Sequence, residues 1–481
     1  MSKKFLVSTG GVFGAAFLWL ISFKIVAVWL GPAGVGIYGQ MRQLIQAAGL
    51  AASLGGTNSI VQGISEREHE GDKLKFRSTV SKIVVLTSAI LGGTIFSNAE
   101  AIALMLFASD SELYIGAVKL VSLVVFFYAG SIYLMGVLNA YERYGALAGV
   151  QIAGPFVLVA VLASMTHAKI EFNPWLLAAS FTACFCTMFA VAVCCIFMPS
   201  RQGLQKAGNA GLSRNEVLGF LRFAGSTLAS TLMGTISLLV IRAWVIESKG
   251  MEGAGLFDAS WTITFNYLTL FLTACSAIYL PRLASSKSNF DSSKLITKTA
   301  YAVLGAVTVV SYFIYLFKVE FITLLYSKEF LASTPLLNVL LAAMVMRSAS
   351  WVYSMTIIAA KDAKMMLISE ALFNGSLIIA AKMATSYFHS LESLGWGFVV
   401  ANFLYLILIA TYAKRNNSIL NVNYTVALIL FATAPLIILS LLQVFSINSA
   451  PVNSIYAAMA LVLCAVTVGF FSFVGFRRQD G

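Results

Sequence analysis

The stretch KIVAVWLGPAGVGIYGQMRQL, residues 24–44, sets the architecture of this chain because its glycine-rich centre occurs twice. Residues 34–38 read GVGIY and residues 253–257 read GAGLF, an offset of 219 positions. Further matches lie at nearly the same offset. Residues 106, 107 and 110 match residues 325, 326 and 329, an offset of 219. Residues 133, 135, 140 and 142 match residues 353, 355, 360 and 362, an offset of 220. Collinear matches at one offset predict an internal duplication.

The composition places this duplication in a membrane. Of 481 residues, 59% are hydrophobic and only 11% are charged, whereas soluble domains carry about 25% charged residues. The mean hydropathy is +0.86, and the apolar residues form separate runs of roughly 20, the length that spans a bilayer as a helix. These features exclude a water-soluble enzyme and predict an all-α polytopic membrane protein.

About fourteen transmembrane helices are expected. The predicted spans are 5–30, 37–64, 81–108, 114–140, 144–166, 174–198, 217–246, 253–280, 298–317, 332–358, 365–388, 394–413, 422–443 and 454–476. With a cytoplasmic N-terminus, the inner segments carry 21 Lys and Arg and the outer segments carry four. The positive-inside rule therefore predicts that both termini are cytoplasmic.

The repeat divides the chain into lobes. We expect an N-lobe at 1–200, a cytoplasmic linker at 201–216, a C-lobe at 217–415, and two additional helices with a cytoplasmic tail at 416–481. Because each duplicated unit has six helices, both copies start on the same side and form parallel lobes around a central cavity. Such lobes are typical of transporters that work by alternating access.

Charged residues within the spans are candidate functional residues, since each costs about 2.5–3.5 kcal/mol at the centre of a membrane helix. The acidic ones are Asp258 and Glu370. The basic ones are more numerous: Lys24, Arg42, Lys119, Arg222, Arg242, Arg347 and Lys382. This excess of positive charge predicts an anionic headgroup as the substrate.

Each of these residues also has a structural interpretation. Arg347 lies mid-span and either faces a cavity or forms an ion pair with Asp258 or Glu370. Asp258 either couples ion flow to transport or pairs with Arg242.

Residues near the outer helix ends have a different structural interpretation, because long basic side chains can reach the membrane surface from there. Lys24 and Arg242, which the repeat relates, either bind the anion or snorkel to the surface. For Arg42 and Lys119 the alternative to anion binding is an interfacial anchor.

One predicted helix is unusually polar. It contains Gln40, Gln43, Gln46 and Asn58, several of them at helical spacing. These side chains either line a cavity and contact sugar hydroxyls or form hydrogen bonds between helices.

Several other site types are excluded. The six cysteines fall in apolar runs and the three histidines lie far apart, so no metal site is expected. Residues 34–39 satisfy G-x-G-x-x-G but follow a membrane helix instead of a strand, which favours a tight helical hairpin over a dinucleotide site. No phosphate-binding loop motif and no solvated basic patch occurs, so neither ATP hydrolysis nor nucleic-acid binding is expected.

Residues 24–36, followed by Arg42-Gln43-Leu44, resemble the opening of the Wzx-type O-antigen and enterobacterial common antigen flippases. Residues 279–283 and 326–330 resemble later landmarks of that family. The resemblance implies membership of the multidrug/oligosaccharidyl-lipid/polysaccharide (MOP) exporter superfamily. It also implies transport of an undecaprenyl-diphosphate-linked oligosaccharide from the cytoplasmic to the periplasmic leaflet of a bacterial inner membrane.

We therefore expect a flippase, not an enzyme, with no catalytic residue and no cofactor. Transport would be driven by the membrane potential or coupled to H⁺ or Na⁺. The expected partners are the lipid-linked oligosaccharide and membrane lipids, with a polysaccharide polymerase and a chain-length regulator as candidates. The alternatives are a multidrug cation antiporter of the same fold, a membrane glycan polymerase or ligase, and a structural scaffold.

Overall fold

The computed structural model describes residues 3–109, 111–197, 214–286, 288–360, 362–388 and 390–417, together with scattered positions between 429 and 440. Throughout these residues the regular structure is helical and no strand occurs, which confirms the predicted all-α class. The predicted span 454–476 and most of the predicted span 422–443 lie outside the described residues.

The helices follow one another with short connections. They are α1 (Lys3–Ala52), α2 (Thr57–Ser65), α3 (Glu70–Ser97), α4 (Ala99–Phe107), α5 (Glu112–Ala140), α6 (Tyr144–His167), α7 (Pro174–Phe197), α8 (Arg214–Trp261), α9 (Tyr267–Ala284), α10 (Asn289–Leu316), α11 (Lys318–Leu325), α12 (Thr334–Ala359), α13 (Ala363–Met383) and α14 (Leu391–Asn416). Short π segments occupy Thr262–Asn266 and Ala384–Phe388, and a 3₁₀ turn occupies Lys328–Ser333.

Helix α1 folds back on itself at Gly31, the one residue inside it with non-helical backbone angles (φ 63°, ψ −163°). The Ser22 and Tyr38 hydroxyl oxygens are 2.7 Å apart, and the Phe23 and Tyr38 ring centroids are 4.7 Å apart. These contacts join residues placed almost symmetrically about position 31, as in an antiparallel hairpin. The predicted hairpin is therefore present, but its turn precedes the GVGIY sequence.

Helix α8 has the same backbone feature 219 positions later, since Gly250 has φ 70° and ψ −177°. Positive φ at these two positions favours glycine because a side chain would be strained there. Ten described helices are long and apolar enough to cross a membrane. Two of them, Gly10–Ala52 (43 residues) and Thr231–Ser276 (46 residues), each have the length of two crossings. The ten helices therefore accommodate the twelve spans predicted between residues 5 and 413.

The helix boundaries repeat as the sequence does. Helix α3 starts at residue 70 and ends at 97, and α10 starts at 289 and ends at 316. Helix α4 starts at 99 and α11 at 318, and helix α6 starts at 144 and α13 at 363. Each of these pairs differs by 219 positions, so the duplication extends to the start and end of individual helices.

The predicted span 37–64 is wrong in one respect, because the helix breaks at 53–56. Leu54, Gly55 and Gly56 all have positive φ, which ends α1. The Ser59 hydroxyl donates hydrogen bonds to the Leu54 and Gly56 carbonyl oxygens (2.9 and 3.0 Å). Carbonyl groups that the break would leave unpaired are therefore satisfied.

The internal contacts divide the chain into two compact units, Met1–Gly255 and Leu256–Gly481. In the first unit α5 packs against α3 and α7, and α6 packs against α1 and α7. In the second unit α12 packs against α10 and α14, and α13 packs against α14. The predicted linker at 201–216 lies largely outside the described residues, so the lobe boundaries drawn from the sequence stay predictions.

Candidate functional site

Arg347 lies midway along α12, the most buried of the candidate membrane helices. Its guanidinium carbon is 4.4 Å from the Phe373 ring centroid and 4.8 Å from the Tyr405 ring centroid. Arginine stacked on aromatic faces gains about 0.5–2 kcal/mol per contact, more when it is desolvated. We call this cluster of Arg347, Phe373 and Tyr405 the Arg347 site.

The aromatic rings hold the Arg347 charge but do not neutralise it. Within the described residues, neither Asp258 nor Glu370 forms an ion pair with Arg347. The Glu370 carboxylate instead accepts a hydrogen bond from the Asn374 side-chain amide at 3.3 Å. One Arg347 η nitrogen is buried and has no hydrogen-bond partner in the described part of the chain. The structure thus disfavours the ion-pair interpretation of Arg347 and leaves a guanidinium N–H group available to an acceptor.

The first compact unit contains a similar cluster. The guanidinium carbon of Arg42 is 4.5 Å from the Trp19 ring and 5.3 Å from the Phe23 ring. The ε nitrogen of Arg42 is buried without a hydrogen-bond partner among the residues described. This Arg42 site lies within the α1 hairpin, where Trp19 and Phe23 are one helical turn apart on the same face.

Arg242 is 6% exposed and lies within the first compact unit, where it forms a hydrogen bond with α1. It donates to the Gln43 amide oxygen at 2.8 Å, and the Gln43 amide nitrogen donates to the Thr235 carbonyl oxygen at 3.0 Å. Gln43 therefore bonds α1 to α8, the interhelical role that the sequence left open for it. This hydrogen bond also explains how Arg242 is accommodated at membrane depth without snorkelling.

The remaining polar residues of the predicted cavity wall differ in burial. Gln40 is completely buried, and its amide has no hydrogen-bond partner in the described residues. Gln46 is half-buried on the same helix. The Asn58 side chain lies outside the described residues. A buried amide without a partner is costly in a protein interior, which makes Gln40 the strongest of the three candidates for a ligand contact.

The other basic candidates are less enclosed. Lys24 is half-buried on α1, seven residues before the hairpin turn. Lys119 is exposed on α5, with its amine 5.7 Å from the Phe96 ring, which favours the anchor interpretation. Lys382 is exposed in the last turn of α13. The Arg222 side chain lies outside the described residues.

The two acidic candidates differ in burial. Asp258 is 1% exposed on α8, whereas Glu370 is half-buried on α13. A carboxyl group enclosed in a membrane protein is the kind of group that can exchange protons or hold a cation. Asp258 therefore stays the better candidate for ion coupling.

Sequence reasoning missed the aromatic residues that hold the arginines. Trp19 and Phe23 could have been recognised from their four-residue spacing opposite a basic residue of the next helix. Phe373 and Tyr405 lie on helices whose pairing with α12 becomes evident only in the folded chain. No local pattern in the sequence marks them.

Comparison with known proteins supplies a family context. Residues 25–335 match the family of polysaccharide biosynthesis proteins. The lipid III flippase of Escherichia coli (strain K12) is 25% identical over 360 residues, which are 73% of this chain and 83% of that protein. The lipid III flippase of Shigella flexneri matches to the same extent.

Two solved structures share the fold. An inward-facing multidrug resistance MATE family transporter of the MOP superfamily superposes with a TM-score of 0.71 and 16% identity, covering 84% of this chain and 94% of that one. The lipid II flippase MurJ in an inward closed conformation gives a TM-score of 0.69 with 14% identity, covering 99% and 100%. At these identities the likeness establishes the fold alone.

Proposed function

The chain belongs to the polysaccharide biosynthesis protein family, and from this premise we propose that it is a flippase for a lipid-linked oligosaccharide. Membership confirms the family resemblance of residues 24–36, and the ten long apolar helices make the chain a multi-pass membrane protein. We assign it to the MOP superfamily, in agreement with the shared fold. The curated relatives in two bacteria are flippases of lipid III. The proposed cargo is an undecaprenyl-diphosphate-linked oligosaccharide of the O-antigen type.

The observation that carries this proposal is the Arg347 site. The guanidinium of Arg347 rests on aromatic rings, and no carboxylate in the described residues pairs with it. A diphosphate entering a membrane without compensation would have an ionic desolvation cost of well over several kcal/mol. Planar guanidinium groups bind phosphate oxygens through paired hydrogen bonds. The Arg347 site is therefore suited to the headgroup of the proposed cargo.

The Arg42 site supports the same proposal from the first compact unit. There a second guanidinium rests on Trp19 and Phe23, and the buried amide of Gln40 precedes Arg42 by two residues. We assign diphosphate contacts to the two arginines and a sugar-hydroxyl contact to Gln40. Lys24 and Arg242 are assigned a supporting electrostatic role.

We further propose that transport runs from the cytoplasmic to the periplasmic leaflet by alternating access through a cationic cavity. Moving about two negative charges outward across roughly 150 mV, inside negative, releases on the order of 7 kcal/mol. We therefore propose the membrane potential as the driving force. Antiport of H⁺ or Na⁺ through Asp258 is the alternative coupling. We propose that the protein lies in a bacterial inner membrane with both termini in the cytoplasm. A polysaccharide polymerase and a chain-length regulator are its proposed partners.

A cation-exporting multidrug antiporter is the second candidate. The observation that favours it is the buried Asp258 carboxyl group, since acidic side chains bind cationic drugs. The aromatic-held arginines argue against this function because they would repel a cationic substrate.

Deletion of the chain in its native host distinguishes the two candidates. The flippase proposal predicts that lipid-linked repeat units accumulate on the inner leaflet and that a plasmid copy of the wild-type chain restores their export. An unchanged distribution of these lipids, with a gain in sensitivity to cationic drugs, would favour the antiporter.

A further inference from the structure

The second compact unit contains an apolar groove that the proposed transport function does not use. Its volume is about 290 Å³, and its lining is almost entirely hydrocarbon and aromatic surface. The walls come from α9, α10, α11 and α12, and include Phe313, Phe321, Leu325 and Met344. Val310, nearly half exposed, lies on α10 and lines the groove. An opening of this composition in a membrane protein is suited to a hydrocarbon chain.

A lysine lies on the same face of α11 as two of the groove residues. Lys318, Phe321 and Leu325 are spaced three and four residues apart, which places them on one side of the helix. The Lys318 amine is 4.2 Å from the centroid of the Tyr315 ring, and Tyr315 directly follows the groove residue Ile314. The positive charge is therefore beside the groove.

Lys318 has no carboxylate partner within the described residues. Its amine lies 3.5 Å from the Asn338 side-chain oxygen, the outer limit of a hydrogen bond. Glu320 is in the same turn but is exposed and forms no ion pair with Lys318 there. Burial lowers the pKa of Lys318 to about 8, so the amine still carries its charge at neutral pH. The structure thus places a partly buried ammonium group, with no carboxylate partner in the described residues, on the same helix as two groove residues.

The start of α11 adds to the positive field. Lys318 is the first residue of this eight-residue helix, and no side chain in the described residues caps its N-terminus. Helix N-termini favour anions because their first N–H groups are unpaired and the helix dipole is positive there. Lys318 also lies between the candidate spans Asn289–Leu316 and Lys328–Ala359, outside both of them.

We propose that this groove and Lys318 together form a binding site for an anionic phospholipid of the bilayer. One acyl chain fills the groove, and the headgroup phosphate contacts the Lys318 amine and the N-terminus of α11. The charge selects the lipid, because the groove itself offers hydrocarbon to any acyl chain. The site is separate from the arginine sites, so it does not depend on the transported cargo.

Native mass spectrometry of the full-length protein in a neutral detergent tests the site, with phosphatidylglycerol and phosphatidylcholine as probes. We expect wild-type protein to retain one phosphatidylglycerol in preference to phosphatidylcholine. Lys318→Gln should weaken phosphatidylglycerol binding about fivefold, the value of one lysine near a lipid headgroup, while Lys318→Arg retains it. The matched control is Lys328→Gln, which removes an exposed lysine outside the groove and should leave binding unchanged.

A groove-filling variant, Val310→Trp, tests the hydrocarbon half of the site. We expect it to reduce retention of phosphatidylglycerol even though Lys318 is intact. Three results would each overturn the proposal. They are equal retention of both lipids by wild type, equal losses of binding in Lys318→Gln and Lys328→Gln, and preferential binding of a polyprenyl phosphate. Competition by inorganic phosphate as effective as that by phosphatidylglycerol would show a free-anion site instead, and would also overturn it.

Discussion

At the scale of single residues, the two arginine sites solve the same electrostatic problem. An arginine in a membrane helix must be stabilised, and an ion pair would do so by cancelling its charge. Arg42 and Arg347 are stabilised by aromatic faces instead, which leaves the charge able to attract an anion. This combination of stability and uncompensated charge distinguishes a binding residue from a structural one.

We predict that Arg347→Ala slows glycan export by roughly tenfold or more at equal protein level, since a charge-assisted hydrogen bond contributes about 1.5–3 kcal/mol. Export is measured as surface glycan in a deletion strain that carries the variant. Lys364→Ala removes an exposed lysine of α13 and serves as the matched control. Full export by Arg347→Ala would remove Arg347 from the site.

Tyr405→Leu provides a second test of the Arg347 site. It removes one aromatic face and leaves the arginine charge in place. Because the ring orients the guanidinium, we expect an intermediate loss of export and an increase in the apparent Michaelis constant for the lipid-linked substrate. A loss of protein from the membrane, with no change in export per molecule, would indicate a purely structural role for Tyr405.

Because Lys318 is partly buried, we predict that the stability of the protein depends on pH. Burial lowers the pKa of Lys318 from 10.5 to about 8. Below about pH 8 the amine is charged in the native protein, and the cost of burying that charge lowers the stability by its full amount. Between the two values the unfolded chain binds more protons than the native one, and stability therefore rises with pH. In neutral detergent free of anionic lipid, Lys318→Met should melt higher than wild type at about pH 7, and this difference should shrink by about pH 10. The same difference at both pH values would refute the assignment.

The sequence alone identified which residues to examine at this scale but not how they are held. Embedded charges are visible because they interrupt apolar runs, as at Arg42 and Arg347. Their aromatic neighbours are not visible, because Phe and Tyr are common in every membrane span. Lys318 was placed outside the spans by the charge pattern, and its burial against Tyr315 became evident only in three dimensions.

At the scale of helices, the glycines of the repeated sequence permit close backbone contact within the first unit. A Cβ atom added to Gly255 would lie 1.8 Å from the Pro32 carbonyl oxygen, and one added to Gly36 would lie 2.3 Å from the Met251 carbonyl oxygen. The start of the second half of α1 therefore packs directly against the end of the Gly250 bend. No larger residue fits at either position without moving a backbone.

We predict that Gly255→Ala lowers the free energy of unfolding by about 1–3 kcal/mol, the usual cost of overpacking. Thermal melting in detergent measures the effect. Gly225→Ala, on the same helix α8, is the matched control because no atom of the described residues lies within 4 Å of its added Cβ. Alanine is the better helix former by about 1 kcal/mol, so the control should melt at the same temperature or higher. Equal melting of the two variants would contradict the close contact.

Most helices could be predicted from the sequence, because long apolar runs and charge sidedness have strong physical causes. The turn at Gly31 could not be placed, since several glycines follow it within a few residues. The break at 53–56 was missed for a related reason: Leu54 adopts positive φ there, which no hydropathy pattern reveals. The short helices α4 and α11 were absorbed into spans or loops.

At the scale of the whole molecule, the duplication is the most informative feature. The 219-residue offset found in the sequence also separates the bounds of α3 from those of α10, and Gly31 from Gly250. Yet the two aromatic-held arginines do not follow the repeat, since position 128, which corresponds to Arg347, is a tyrosine and position 261, which corresponds to Arg42, is a tryptophan. The scaffold is thus duplicated while the charges differ between its copies, as expected for a site that binds an asymmetric substrate.

The charge of the proposed cargo predicts that transport depends on voltage. In proteoliposomes, a potassium diffusion potential that makes the cytoplasmic side negative should accelerate outward movement of a diphosphate-linked lipid. The available energy is about 2.3 kcal/mol per charge per 100 mV. The potential is generated with the potassium ionophore valinomycin, and the matched control uses the same vesicles without it. Acceleration by a proton gradient and none by potential would indicate coupling through a group such as Asp258.

Translocation by the purified chain itself tests the proposed flippase function. The protein is reconstituted into vesicles that contain a polyprenyl-diphosphate oligosaccharide with a fluorescent headgroup, and dithionite quenching reports the fraction exposed outside. We predict that quenching becomes nearly complete with wild-type protein, proceeds roughly tenfold or more slowly with Arg347→Ala, and stays at the outer-leaflet fraction with a headgroup-labelled neutral lipid. No translocation of the diphosphate lipid by wild type, or equal translocation of the neutral lipid, would contradict the proposed function.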